Sequence, residues 1–381
     1  MPNIHRISIL VALLALAAYF TVTPSTIRTR LPALFRPAKS PQTTESTNMG
    51  TELEALRDVW TRNLDSLPST PDNIPAFFFG HGSPMLAFPD GPNSSSHFSE
   101  ILSWAGPKGP LALFLKDFGP ALLKKYQPKG IVVFSAHWET HTERLVTDYG
   151  DENPLFMDYY GFDREMYELK FKSRGDHELA RRVVELYKKG GQKARLTTTL
   201  ENRGQDGRGF AGTGLDHGVF VPFKLMFGEE FKQIPIVQVS IDSSLSPEKN
   251  WALGKAVASL RQQGILVLSG GLLVHNLGQF NSLAAELASP AHKEFDRDVV
   301  AAVAIEDVSI EQPQTQTLLN PSQKTQRRQA MMSLPRHPGF RASHPREDHF
   351  IPLYVAGGAG EGGDAKVISD MYGCGTFAFG L

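Results

Sequence analysis

Three histidines occupy the same kind of position in this chain of 381 residues, shortly after an apolar run. Small residues separate each run from its histidine: His81 follows residues 76–79, His137 follows 131–134, and His275 follows 265–268. Imidazole nitrogens bind divalent metals such as zinc and iron, and they exchange protons near neutral pH. One such histidine alone would more often be a hydrogen-bonded structural residue. The repeated position predicts a shared metal centre or acid–base site.

Two more histidines stand in phrases that suit a binding site. His217 lies in Gly214-Leu215-Asp216-His217-Gly218, where flanking glycines let the backbone and the side chain approach a ligand closely. His349 precedes the apolar run 351–356, and His344 could take its place as a metal ligand. Five further histidines stand in polar surroundings and are expected on the surface: His97, His141, His177, His292 and His337.

Cysteine usage limits the kind of metal site that the chain can build. Cys374 is its one cysteine, so neither an intramolecular disulfide nor a cage of several thiolates is possible. Any metal must therefore be held by histidine and carboxylate side chains.

The runs before His81, His137 and His275 show no polar alternation, as expected of strands covered on both faces. Helical patterns over 178–188 and 248–263 lie between them. This order predicts an α/β fold: a single large domain with a mostly parallel central sheet flanked by helices. The carboxyl ends of parallel strands form the ligand crevice, so we expect the histidines to converge there, in a metal site at the strand carboxyl ends.

Composition divides the chain into three parts. Residues 1–25 are predicted to be an N-terminal hydrophobic anchor or targeting segment, and residues 26–74 a flexible tether rich in Pro, Ser, Thr and Arg, with a short helix over 52–64. Residues 75–381 are predicted to be the catalytic domain. Within it, residues 311–328 are expected to form a surface loop or insertion. The glycine-rich stretch 357–363 is not followed by the Lys-Ser/Thr pair of a phosphate-binding loop, so it is expected to be a flexible loop.

The apolar run 7–22 fits a cleaved secretory signal, a single-pass anchor or a mitochondrial presequence. Basic residues concentrated after the run favour a cytosolic body by the positive-inside rule. In a secretory protein Asn93 would be a glycosylation acceptor beside the expected pocket, and a glycan there could obstruct it. We therefore expect membrane attachment through 7–22 with a cytosolic body, or mitochondrial delivery.

Charge and hydrophobicity exclude two broad classes of protein. Lys and Arg number 39 against 40 Asp and Glu, a net charge of -1, so there is no overall basic field to hold a nucleic acid. A hydrophobic content of 41% excludes a wholly disordered chain.

Several phrases together resemble the class III extradiol ring-cleavage dioxygenases of the subunit-B type, most closely the DOPA 4,5-dioxygenase-like branch. They occur in family order over nearly the whole predicted catalytic domain: 80–85 (GHGSPM), 135–138 (SAHW), 158–162 (DYYGF) with Met166 and Tyr167, 215–218 (LDHG), 234–242 (IPIVQVSID), 274–277 (VHNL) and 344–349 (HPREDH). Relatives often carry a tryptophan just before the Asp-His-Gly phrase, whereas this chain has Gly-Phe-Ala-Gly-Thr at 209–213.

The resemblance implies one divalent metal per chain, Zn²⁺ or non-haem Fe²⁺. The residues that it implies around the metal are His81, His137, His275 and His349, with His275 close by rather than in the core set. Other class III enzymes place a glutamate where His349 would act, and Glu347 is the local substitute.

The resemblance also implies the reaction and its partners. The substrates would be O₂ and a catechol such as DOPA, and the product a ring-opened semialdehyde. His217 and His275 would be catalytic, because the catechol must give up a proton to a base. Zinc cannot change its oxidation state, so a zinc-only protein would not follow the usual oxidative route.

Two other functional classes stay open. A zinc-dependent hydrolase would use the same histidines to activate water. A non-catalytic, Memo-like relative would bind a peptide or protein, although none of the expected phrases has lost its histidine. A serine hydrolase is disfavoured, because Ser83 lacks the Gly-x-Ser-x-Gly elbow.

Overall fold

The computed structural model describes residues 45–69, 71–89, 102, 104–203, 212–305 and 326–381. Residues 56–159 together with 164–381 form one compact unit. The other unit comprises 1–55 and 160–163; its described part is 160–163 and residues 45–55, the first half of a helix. Residues 7–22, Asn93, His97 and 311–325 lie outside the described residues.

The strands fall in one large sheet and two small ones: β1 (Ala76–Gly80), β2 (Gly130–Thr140), β3 (Arg144–Thr147), β4 (Leu155–Phe156), β5 (Lys172–Ser173), β6 (Ala194–Thr197), β7 (Leu215–Asp216), β8 (Glu230–Phe231), β9 (Ile236–Asp242), β10 (Ile265–Gly271), β11 (Ala365–Ser369) and β12 (Thr376–Phe379). The α-helices are α1 (Glu45–Asp65), α2 (Pro110–Tyr126), α3 (His177–Lys189), α4 (His217–Phe227), α5 (Pro247–Val257), α6 (Pro290–Val303), α7 (Gln326–Ser333), α8 (Phe340–Ser343) and α9 (Pro352–Ala359).

The large sheet of the described residues has the strand order β11-β12-β1-β10-β2-β9-β3-β6. Its centre, β1-β10-β2-β9, is parallel, and β12 and β11 add an antiparallel edge. Every residue of β1 and β10 is buried, which explains why both runs are continuously apolar rather than alternating. The predicted α/β fold with a mostly parallel central sheet flanked by helices is confirmed.

Helices cover both faces of this sheet. On one face Phe77 packs against Phe118 of α2, and Phe79 lies 6.3 Å from Phe223 of α4, centroid to centroid. The opposite face packs on α3, α5 and α9. The amphipathic pattern of α3 begins at its N-cap Asp176, whose side chain accepts a hydrogen bond from the Leu179 backbone N–H.

Helices α5 and α9 approach so closely that only glycine fits at their contact. A Cβ on Gly358 would lie 2.0 Å from the Trp251 backbone oxygen, and one on Gly254 would lie 1.9 Å from that of Val355. The prediction of a flexible loop over 357–363 was therefore wrong for its first half, because Gly357 and Gly358 belong to buried α9. Likewise residues 326–328 of the predicted 311–328 loop begin α7.

Strand β2 is longer than the sequence indicated. Its register against β9 shifts between Phe134 and Glu139, so the strand continues through His137 instead of ending before it. An irregularity of this kind redirects side chains out of the regular pleat. His137 therefore projects from a bulged strand rather than from the loop that follows one.

Helix α1 lies in the stretch predicted as a tether. Its Trp60 is buried, contacts Phe114 of α2 with ring centroids 5.5 Å apart, and donates a hydrogen bond to Asp117. Arg57 pairs with the same carboxylate at 2.8 Å. The boundaries at residues 25 and 74 stay a prediction, while residues 57–64 have packed contacts with the helical layer.

The expected localisation, a membrane-anchored protein with a cytosolic body or a mitochondrial one, was wrong. Among the residues that the structure describes, no helix has the length and apolar character needed to cross a bilayer. The longest of these helices, α1, exposes charged side chains such as Arg57 and Asp58. A span instead needs about 20 predominantly apolar residues.

Candidate metal centre

Three buried imidazoles meet at the carboxyl edge of the parallel strands. His81 follows β1, His137 lies on the bulged part of β2, and His349 precedes α9. Their ring centroids are 4.9 Å (81–137), 5.2 Å (81–349) and 4.8 Å (137–349) apart. One nitrogen from each lies within 4.8 Å of one from each of the others. The structure thus brings together three of the four histidines expected around the metal: His81, His137 and His349.

Two glycines, which carry no side chain, leave room for the segments that hold these rings. A Cβ on Gly218, next to His217, would lie 2.6 Å from Cδ2 of His137. A Cβ on Gly271, at the end of β10, would lie 2.4 Å from the His349 backbone oxygen, which instead accepts a hydrogen bond from the Leu272 N–H. The glycines of the Asp-His-Gly and Ser-Gly-Gly phrases thus allow segments distant in sequence to touch.

His217 lies beside this trio and shares a carboxylate with it. Its Nδ1 is 2.7 Å from Oδ1 of Asp158, and its backbone N–H donates to the same oxygen. The Nδ1 of His137 is 3.3 Å from Oδ2 of Asp158. Burial raises the pKa of the Asp158 carboxyl, but the two imidazoles outweigh that effect and hold the pKa well below its usual range. Asp158 therefore stays ionised and orients both rings.

His275 lies against the trio without joining it. Its ring stacks on that of His349, with centroids 3.5 Å apart and planes 13° apart. A ring nitrogen of His275, a carboxylate oxygen of Asp348 and a ring nitrogen of His349 lie within 4.8 Å of one another. His275 does not form such a group with His81 and His137. Burial, followed by the charge of His349, lowers the pKa of His275 well below its ordinary value.

An arginine joins the two segments that carry His137 and His349. Both terminal nitrogens of Arg346 donate to the buried Glu139 carboxylate, at 2.5 and 2.6 Å, and Nη1 also lies 2.9 Å from Asp348 Oδ2. Burial lowers the pKa of Arg346, but the carboxylates outweigh it and the net shift is upward. Both Asp158 and Arg346 stand inside phrases of the family resemblance, yet nothing in those phrases shows which side chains they contact.

The alternative ligands occupy other positions. His344 is fully buried and its Nε2 donates to the Leu273 backbone oxygen; burial lowers its pKa to about 4, so it is a neutral structural residue. Glu347 pairs with Arg341 instead of facing the trio.

The expectation of a surface His292 was wrong, because its ring is buried between Ser289 and the Ala342 backbone oxygen. His141 and His177 are exposed, as predicted, and His337 is partly so.

The donor set of His81, His137 and His349 fits one divalent cation. Imidazole is a ligand that both Zn²⁺ and Fe²⁺ accept. Two ligand atoms of one ion, each about 2.0–2.2 Å from it, can be at most about 4.4 Å apart. One nitrogen from each ring lies within 4.8 Å of the others, so small side-chain rotations suffice to place all three around one ion.

The chain has relatives along nearly its whole described body. The sequence profile of the catalytic LigB subunit of aromatic ring-opening dioxygenase matches residues 75–379. A "4,5-DOPA dioxygenase extradiol-like protein" of Schizosaccharomyces pombe is 36% identical over 323 residues, which are 84% of this chain and 97% of that protein. A "4,5-DOPA dioxygenase extradiol" of Beta vulgaris is 29% identical over 311 residues, covering 81% and 96% of the two chains.

Bacterial proteins match as well. A "4,5-DOPA dioxygenase extradiol" of Escherichia coli K12 is 26% identical over 289 residues, or 76% of this chain and 86% of that one. The crystal structure of an uncharacterized protein from Escherichia coli K12 superposes with a TM-score of 0.53 at 21% identity, covering 81% of this chain and all of that chain. The structural likeness shows a common fold.

Proposed function

Because this chain belongs to the family of the catalytic LigB subunit of aromatic ring-opening dioxygenases and is an extradiol ring-cleaving enzyme, we propose that it opens a catechol such as DOPA to a semialdehyde with O₂ and one divalent metal. His81, His137 and His349 would hold the metal. The observation that carries the proposal is the convergence of these three buried imidazoles at one edge of the sheet.

The metal and the protein would contribute different parts of the chemistry. A redox-active divalent metal such as Fe²⁺, when bound, supplies a path for electron transfer between a catechol and O₂. Three protein ligands on one side leave room for both substrates, which is how an all-histidine face suits this reaction. The protein must then bind and orient the catechol and accept a proton from it.

His217 would be the base. Its Nδ1 faces the ionised Asp158, so Nδ1 carries the ring proton and Nε2 is left as the acceptor. The ring centroid of His217 lies 4.0 Å from that of His137, close enough for Nε2 to reach a substrate held at the trio. This is the arrangement of a base oriented by a carboxylate.

His275 would be the second proton-transfer residue. It is partly exposed and stacks flat on His349, so its ring is held in place without occupying a position in the trio. We assign it to proton transfer during ring opening, with a position near the metal rather than in its resting ligand set.

The test is metal reconstitution followed by oxygen uptake. Protein purified without oxygen and stripped of metal would be loaded with Fe²⁺ or with Zn²⁺ and offered a panel of catechols with and without an amino-acid side chain. We expect about one metal per chain in both samples, and O₂ uptake with formation of the coloured semialdehyde in the Fe²⁺ sample. Loading with Fe²⁺ but no O₂ uptake with any catechol would contradict the proposal, and ester or amide hydrolysis by the Zn²⁺ sample would favour a hydrolase.

A further inference from the structure

A buried ion pair contacts the segments that carry His137 and His217. Nη2 of Arg203 is 2.7 Å from Oδ2 of Asp216, and both side chains are almost completely inaccessible. Nη1 of Arg203 donates to the Gly214 backbone oxygen at 2.8 Å. The guanidinium also lies over the ring of Trp138, with Cζ 4.3 Å from the centroid. Charges buried this deeply are costly unless several partners satisfy them.

The pair is bonded to the segment that carries His137. Trp138, the next residue, donates its indole N–H to the Arg203 backbone oxygen at 3.0 Å. Ser135 donates its hydroxyl to Asp216 Oδ1 at 2.7 Å, and the His137 backbone N–H donates to that same hydroxyl oxygen at 3.1 Å. The backbone of His137 is therefore fixed to Asp216 through a single hydroxyl group.

The same pair lies at the start of helix α4, which carries His217. Asp216 is the N-cap residue of α4 and directly precedes His217, the first residue of that helix. Gln238 of the neighbouring strand β9 donates its amide to Asp216 Oδ2. Arg203 thus connects the strand that carries His137 to the helix start that carries His217, and these two rings have centroids 4.0 Å apart.

We propose that Arg203 is a positioning residue: through Asp216 and Trp138 it holds His137 and His217 at the separation that metal binding and proton transfer require. The inference rests on the proposed function for its catalytic consequence. Residues behind metal ligands typically change metal affinity or activity about 10–100-fold when replaced. Lysine could not substitute, because it lacks the planar fork that reaches Asp216 and Gly214 together.

The test compares Arg203→Met and the double variant Arg203→Met/Asp216→Asn with a matched control. The double variant removes both buried charges, and its asparagine oxygen can still accept from either Ser135 or Gln238, which bond to different oxygens of Asp216. It should therefore regain part of the stability without regaining the guanidinium contact with Trp138. The control is Arg261→Met. Arg261 is also buried and donates to three backbone oxygens, of Ile74, Ala359 and Gly380, but it precedes β10 at the amino edge of the parallel strands, opposite the histidines.

Two readouts are measured on the full-length protein: Co²⁺ affinity by absorption titration, and kcat with KM for a catechol on the Fe²⁺ form. We expect both Arg203 variants to bind Co²⁺ about 10-fold more weakly and to lose about 10–100-fold in kcat with KM changed less than about threefold. Arg261→Met should stay within about twofold of the wild type in both. Folded Arg203 variants that match the wild type, or an Arg261 variant that loses as much, would overturn the proposal. Failure of both Arg203 variants to fold would overturn it too, since the pair would then be a folding element.

A failure of the proposed function looks different. The wild-type protein would then bind no Co²⁺ and open no catechol. Positioning is in that case measured from the ¹⁵N–¹H signals of the imidazoles: a shift of the His137 and His217 signals in the double variant but not in Arg261→Met supports the proposal, and unchanged signals overturn it.

Discussion

The Nδ1 atom of His217 lies 2.7 Å from Oδ1 of Asp158, and both side chains are buried. The two residues are 59 positions apart in the sequence, so the contact exists only because the chain folds back on itself. The carboxylate serves two imidazoles, because its other oxygen faces His137. Disturbing it should therefore affect the orientation of the base and of a proposed metal ligand together.

Replacing Asp158 with asparagine should lower kcat about 100-fold and also weaken metal binding, because the carboxylate contacts both His217 and the proposed ligand His137. An asparagine amide can present a donor to Nδ1 and favour the wrong tautomer of His217. Steady-state kinetics with metal analysis measure both. The matched control is Asp148→Asn, since Asp148 pairs at 2.8 Å with His177, an exposed histidine distant from the site. Equal losses in the two variants would contradict the prediction.

Removing the His217 ring should separate proton transfer from metal binding. We expect His217→Ala to lower turnover about 10²–10⁴-fold, the usual contribution of a positioned general base. The metal should stay at about one per chain, because His217 is outside the trio. Loss of the metal in this variant would instead make His217 a ligand. His177→Ala serves as the control for removing a histidine that pairs with a carboxylate.

Alanine variants of the histidines around the proposed metal should distinguish metal ligands from residues that lie beside the metal. His81→Ala and His349→Ala should bind metal at least about 10-fold more weakly and lose ring cleavage, because each removes one donor of three. His275→Ala should keep its metal and lose mainly kcat. Metal content after dialysis against a weak chelator distinguishes these cases. A His275 variant that loses metal as readily as the His81 variant would place His275 in the ligand set.

The Arg346 pair should matter for stability as well as for the site. Arg346→Met leaves the Glu139 carboxylate buried without its bidentate partner, which we expect to cost about 1–3 kcal/mol in the free energy of unfolding. The double variant Arg346→Met/Glu139→Gln should recover part of this loss. Urea unfolding measures each value. Arg164→Met, which breaks the exposed pair with Glu168, should cost at most about 0.5 kcal/mol. A loss no larger in Arg346→Met would show that the pair is not energetically important.

Asp296 on α6 should make stability depend on pH away from the metal centre. Burial raises the pKa of its carboxyl from 3.8 to about 7, with the Gly373 N–H hydrogen bond opposing and Asp370 adding to the rise; Tyr372 and Cys374 are its other titratable neighbours. Because folding raises this pKa, the stabilisation is fully present below about pH 4 and is lost as the pH rises to about 7.

Asp296→Asn should therefore be more stable than the wild type at pH 8, by about 2–4 kcal/mol, and nearly equal to it at pH 4. The asparagine oxygen can still accept from Gly373, so the loop keeps its contact. Thermal unfolding at both pH values provides the measurement, with the exposed Asp151→Asn as control. A difference between wild type and variant that is the same at the two pH values would refute the assignment.

Much of the fold could be predicted because burial constrains residue type so strongly. Strands such as β1 and β10, covered on both faces, must be apolar throughout, and their runs are visible in the sequence. The extension of β2 through His137 could not be predicted, because it depends on a register shift against β9. The helical state of Gly357 and Gly358 was likewise hidden, since glycine in a helix is unfavourable alone and is explained here by the close approach of Trp251.

The sequence by itself determined which residue types are available for chemistry and where the strands that carry them end: His81 after an apolar strand, His217 between an aspartate and a glycine, and Cys374 as the lone thiol. Only the tertiary structure decided which of these side chains meet. His349 rather than Glu347 faces His81 and His137, His275 stacks on the outside, and the Asp158 and Arg203 contacts cross long separations. The reason is that side-chain types and strand periodicity are local properties of a chain, whereas the partners of a buried charge are set by packing between elements far apart in sequence.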